Sequence, residues 1–100
     1  MEDHETDIEE KLERFRRGAI QNFIDNCYVA YDMLVKEGVP EDSDHESLME
    51  ILKASRKMLA LFEVREEYEK CKVLSNIMEM EFPSWDITPD RKYIEELEIS

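Results

Sequence analysis

Glycine and proline are scarce in this chain, two and three among 100 residues, so few positions let the backbone reverse cheaply. With only Gly18 and Gly38 available, a glycine-rich phosphate loop is excluded. Cysteine is equally sparse. Cys27 and Cys71 form no Cys-x-x-Cys pair, and His4 and His45 form no His-x-x-x-His pair, whereas metal sites need three or four converging ligands. Each cysteine falls within an apolar helical stripe and reads as a buried free thiol rather than a disulfide or nucleophile. Each histidine lies between acidic residues near an expected terminus or cap and reads as exposed. No carboxylate pair stands in an apolar setting that would raise one pKa for acid–base work. The residues therefore offer no catalytic, cofactor-binding or metal site, and the expectation is a protein that is not an enzyme.

Long apolar runs are missing too. No stretch free of charged residues is longer than Gly18–Ile24, whereas a membrane-spanning helix needs about 20 apolar residues. The acidic start, Met1 to Glu10, is the reverse of the basic start of a secretory signal. The expectation is a soluble protein of the cytoplasm of a bacterial or phage-infected cell, or of a virion. Alternation with period two is absent, which excludes an obvious strand.

What the chain has in excess is negative charge. Twenty-six Asp and Glu against 13 Lys and Arg give a formal charge of −13. Direct nucleic-acid binding is disfavoured, because phosphate contact needs Lys and Arg to displace counterions. Anionic membranes would repel it. A basic protein surface would attract it. The 42% of hydrophobic residues is enough for one core and one domain.

Those apolar residues recur at helical spacing, and the fold expected is an all-α bundle of about four helices. Residues 1–5 read as a frayed lead-in, and Thr6-Asp7-Ile8-Glu9 has a capping-box pattern. A long helix over 6–37 then carries Ile8, Leu12, Phe15, Ala19, Phe23, Cys27, Ala30 and Leu34 as one apolar face, with Ile20, Ile24, Tyr31 and Val35 beside it. Gly18 weakens its middle, so a kink there or a projecting first half is expected. Lys11, Arg14, Arg16 and Arg17 form the only basic cluster; Glu10 and Glu13 stand three or four residues away, the spacing of ion pairs along a solvated face. Gly38 and Pro40 stop the helix.

Ser43 or Asp44 caps the next helix, with Ser43-x-x-Glu46 a second capping box. Residues 44–63 and 65–81 read as the arms of a central antiparallel hairpin. Leu48, Ile51, Leu52, Met58, Leu59 and Phe62 stripe the first arm, and Tyr68, Cys71, Leu74, Ile77 and Met78 the second. At 100° per residue Leu48 and Tyr68 differ by about 200°, so either one helix is buried on two faces or the chain turns near Glu63–Glu66. The turn lets both stripes share a core. Pro83 ends the second arm. Thr88-Pro89-Asp90 reads as the start of a last helix over 89–98, with Thr88 as cap and Pro89 in the first helical position, offering Tyr93, Ile94 and Leu97 to the core.

Within the second arm, Tyr68-Glu69-Lys70-Cys71-Lys72-Val73-Leu74-Ser75-Asn76-Ile77-Met78 resembles the second half of the UVR motif, a helical hairpin of excision-repair nuclease subunits and of some adaptors of bacterial protease regulators. Tyr68, Glu69, Cys71, Leu74 and Met78 occupy the aromatic, acidic, small, Leu and aliphatic slots. Ser75 and Asn76 replace the Arg-Asp pair, and the first arm has no clear match. The resemblance covers only part of the chain and implies a protein-docking hairpin without enzyme activity of its own.

The functional candidate is surface. Phe82-Pro83-Ser84-Trp85-Asp86-Ile87 places large aromatics in a loop, amid carboxylates that include Asp86, Asp90, Glu95, Glu96 and Glu98. Phe82 and Trp85 either plug the end of the bundle or anchor a partner, as Trp does at interface hot spots. Two functions are expected from this pattern. One is an acidic protein-binding module for a basic protein, in its sharper form an inhibitor whose carboxylates mimic phosphates, as small phage proteins sometimes present. The other is a homo-oligomeric structural or assembly protein, a homodimer in its simplest form, associating through the long N-terminal helix.

Overall fold

The computed structural model describes the backbone of residues 2–99 and the side chains of residues 7–99; the expected exposure of His4 and capping by Thr6 lie outside these. Four helices and no strand make up the described residues: α1 Glu2–Glu37, α2 His45–Val64, α3 Tyr68–Glu81 and α4 Arg91–Glu96. The fold is an all-α small bundle with one long N-terminal helix. α1 takes in residues 2–5, so its backbone is already helical before the expected Thr6 start.

α2 is the centre of the molecule. Met58, Leu59, Ala60, Leu61 and Phe62 are buried in succession, so this half of the helix is covered on every side rather than on one stripe. From α1, Tyr28 and Tyr31 each bring a ring to within 5.3 Å of the Phe62 centroid. α3 contributes Leu74 and Met78, and α4 contributes Ile94, all fully buried. Ser55 is buried among them and donates its hydroxyl to the Ile51 carbonyl at 2.7 Å, which leaves no polar atom unpaired there.

The hairpin turn falls at Arg65–Glu67, and it is made without glycine. Glu66 adopts φ +59°. The Glu67 N–H reaches back to the Phe62 carbonyl at 2.9 Å and the Glu66 N–H to Glu63 at 3.1 Å, the paired bonds of a Schellman ending. Both arms then share the core, but Tyr68 does not join it: at the first position of α3 it points outward and is exposed. α1 ends where Gly38 takes φ +72° and bonds to Leu34, after which Val39 is buried.

Two starts differ from expectation. Of the two cap candidates for α2, Asp44 accepts from the Ser47 N–H at 2.7 Å, while the Ser43 hydroxyl donates to the Pro40 carbonyl instead of making a capping box with Glu46. α4 begins two residues later than 89 and ends at Glu96 rather than 98. Its cap is Asp90, not Thr88, because Arg56 holds the preceding segment: its Nε donates to the Thr88 carbonyl at 2.7 Å, and its own carbonyl accepts from the Asp90 N–H at 3.0 Å.

The long dimension of the molecule is α1. The bundle measures 58 × 29 × 23 Å with a radius of gyration of 16.6 Å, against about 13 Å for a compact 100-residue domain. α2, at 20 residues, spans about 30 Å and cannot cover the 36 residues of α1, which span about 54 Å. The first half of α1 therefore projects.

Candidate functional site

Two surfaces bear on function, the aromatic loop after α3 and the free arm of α1. In the loop, Phe82 is 2% exposed and belongs to the core. Trp85 is half-buried, 5.8 Å from the Phe82 ring and 5.3 Å from the imidazole of His45, which itself is exposed. The loop thus closes the α2–α3 end of the bundle. Its carboxylates hold the structure together. Asp86 accepts from the Thr88 N–H at 3.0 Å and pairs with Arg56 at 3.6 Å, and the bond from Thr88 with the nearby guanidinium keeps its pKa below the usual carboxylate value. Asp90 caps α4, and Glu98 pairs with Arg16 at 3.2 Å. The structure brings Phe82, Trp85 and Asp86 together, and it sets Glu98 apart from them against Arg16 of α1, with Glu95 and Glu96 exposed on α4. A cavity of about 450 Å³ lies beside Trp85, lined by His45, Met49, Lys53, Arg56 and Asp86, open and shallow.

The arm of α1 carries the feature that the sequence pattern assigns to the core. Ile8, Leu12 and Phe15 are 47%, 64% and 78% exposed. The apolar face expected from Ile8 to Leu34 is therefore buried only over its second half. At 100° per residue Phe15 stands about 120° from Cys27, but Leu12 lies only about 20° from Phe23, so Ile8, Leu12 and Phe15 are exposed chiefly because the arm runs past the end of the bundle. α4 braces the junction: Tyr93 meets Phe23 edge-on at 5.3 Å, and Glu98 meets Arg16.

The arm's charges pair along the helix, as their spacing implies, although Glu13 and Asp7 rather than Glu10 are the partners. Lys11 lies 3.1 Å from Asp7, and both Arg16 and Arg17 reach Glu13. Asp7, Glu9, Glu10 and Glu13 match Lys11, Arg14, Arg16 and Arg17 in number. This segment is neutral in a protein whose net charge is −13.

Both thiols are held toward the protonated form. Burial pushes Cys27 up to about 11, with Lys57 acting weakly in the other direction. Cys71 is raised by burial and by Glu63 and Glu67, and its Sγ lies 3.9 Å from the Leu59 carbonyl. Both are free cysteines. Among the described residues no three His, Cys, Asp or Glu side chains converge on a metal position, and no helix is long and apolar enough to cross a membrane.

Comparison of the chain with protein-family models, curated proteins and solved structures gives no match.

Proposed function

We propose that this chain is a non-enzymatic protein-association module that works through α1, with a second copy of itself as the partner. The observation that supports it is the exposure of Ile8, Leu12 and Phe15 on an arm that extends past its own bundle. Three large apolar side chains in one stripe lose favourable burial in a monomer, worth about 1.5–3 kcal/mol for each one fully covered. Within the arm, residues 7–17 carry as many bases as acids, so two copies approach there with less repulsion than the net charge implies, although Glu2, Asp3 and Glu5 add negative charge ahead of them. Light scattering on the wild-type chain at micromolar concentration tests the proposal: a mass near twice 12.0 kDa supports it, and a monomer overturns it.

A second reading, an acidic module that presents carboxylates to a basic protein, draws on the excess charge outside the arm, including Glu95 and Glu96 on the exposed side of α4. It requires a monomer that a basic host protein retains at low salt and releases at high salt. The aromatic loop lends it little, because Phe82 is buried and Asp86 and Asp90 serve the fold.

A further inference from the structure

The outward face of α1 does not stop at Phe15. Ile8, Leu12, Phe15 and Ala19 are followed by Asn22, Asn26, Val29 and Met33, at steps alternating between four and three, and all eight are exposed. That is heptad spacing, apolar at both ends and polar at Asn22 and Asn26, the spacing of a helix that pairs with another helix along its length. It runs about 40 Å at ~1.5 Å per residue along the flank of the bundle: Phe15 and Ala19 border a groove with Tyr93 of α4 and Leu97 just after it, and Asn26 and Met33 border grooves with α2.

The flanking charges decide the orientation. Lys11, Asp25 and Asp32 stand on one edge of the stripe, Glu9, Arg16 and Glu37 on the other; Asp25 meets an uncharged residue in either orientation, Ala30 if parallel and Gly18 if antiparallel. In a parallel pair each residue on the first edge meets the residue five positions later on the second edge of its neighbour. Lys11 would meet Arg16 and Asp32 would meet Glu37, like charges in both cases and each repeated by the two-fold symmetry. In an antiparallel pair the first edges face each other, and full overlap of the stripe sets Lys11 opposite Asp32 of the second copy, twice. From this complementarity, and resting on the self-association proposed above, we infer that α1 forms an antiparallel two-helix interface with the α1 of a second copy, centred between Ile20 and Gln21.

The register has further support from the shape of the surface. It sets Leu12 opposite Val29, Ile8 opposite Met33 and Phe15 opposite Asn26. Met33 borders an apolar groove of about 280 Å³ between α1 and α2, lined also by Ala30, Leu34, Pro40 and Ile51, which receives Ile8 of the second copy. At the centre, Ala19 faces Asn22; the small methyl leaves room for the two Asn22 amides to meet across the two-fold axis. A polar layer of this kind selects register at some cost in affinity.

Cysteine cross-linking of the full-length chain tests the arrangement. Leu12→Cys and Val29→Cys replace exposed residues, so the fold is retained, which circular dichroism verifies. Under mild oxidation neither single variant alone should link to itself, while an equimolar mixture should yield a covalent dimer joined 12 to 29, identified by peptide mapping. Self-linking of each variant alone means a parallel pair and overturns the inference while leaving self-association intact. So does a wild-type dimer in which neither single variant nor the mixture links. A wild-type monomer removes the underlying reading as well. As an independent arm, Lys11→Glu should weaken the dimer by about three- to tenfold, and adding Asp32→Lys should restore it; failure of the reversal counts against the register.

Discussion

The Tyr28 hydroxyl donates to the Glu67 carboxylate, joining α1 to the turn between α2 and α3. Glu67 also lies 3.9 Å from Lys70, and Arg65 sits over the Tyr28 ring. Burial first, and then the bond to Glu67, push Tyr28 up to about 12. A group that holds its proton more tightly folded than unfolded contributes stability that is intact below its unfolded pKa and is lost as the pH climbs to the folded one. The Tyr28 contribution is therefore constant up to about pH 10 and lost between there and about 12. Cys27, raised from 9.0 to about 11, begins its loss sooner. Tyr28→Phe should lower stability by about 1 kcal/mol at neutral pH and flatten the upper part of the alkaline decline, measured by urea unfolding at a series of pH values.

Glu66 occupies a backbone conformation that glycine adopts without strain. Glu66→Gly should stabilise the chain by roughly 0.5–1 kcal/mol, the relief of left-handed strain exceeding the added unfolded-state entropy, and Glu66→Val should destabilise it by more. Thermal melts of the three proteins compare these directly.

Core and arm should respond oppositely to truncation. Phe62→Ala removes the ring at the centre of the bundle and should cost about 3–5 kcal/mol of folding stability. Phe15→Ala deletes a larger exposed surface yet should leave the stability of the monomer unchanged within about 0.5 kcal/mol. Chemical denaturation of each variant at concentrations too low for association separates the two.

Arg56 pins the loop that carries Trp85, through its bond to the Thr88 carbonyl and its pairing with Asp86. Arg56→Ala should release the loop and expose the indole, read as a red shift of tryptophan emission with increased iodide quenching. Arg56→Lys should restore little, because one ammonium cannot reproduce the guanidinium's planar, two-sided hydrogen bonding.

Much of the fold was legible in the residues, for identifiable reasons. The phase difference between Leu48 and Tyr68 points to a turn that no glycine marks, and the turn is there, at Arg65–Glu67; Tyr68 itself is exposed, so the residue that sets the phase lies outside the buried stripe. Gly38 and Pro83 marked two helix ends. The start of α4 was misplaced because Thr88-Pro89 is held by Arg56, a side chain 32 residues earlier, which no local pattern reveals. The larger difference is in α1. A heptad drifts only ~20° per repeat from a 3.6-residue period, so Ile8–Ala19 continues equally well into Phe23–Leu34 or into Asn22–Met33. The second branch passes through Asn22 and Asn26 and is the less apolar, so hydrophobic periodicity alone points to the first.

The most direct measurement of the proposed role is sedimentation equilibrium on the wild-type chain and on a Leu12→Glu, Phe15→Glu double variant, with helicity and unfolding followed alongside. The expected result is a wild-type dimer and a variant that is monomeric yet folds with undiminished stability. A wild-type monomer, or a variant that remains dimeric, would contradict association through this face of α1.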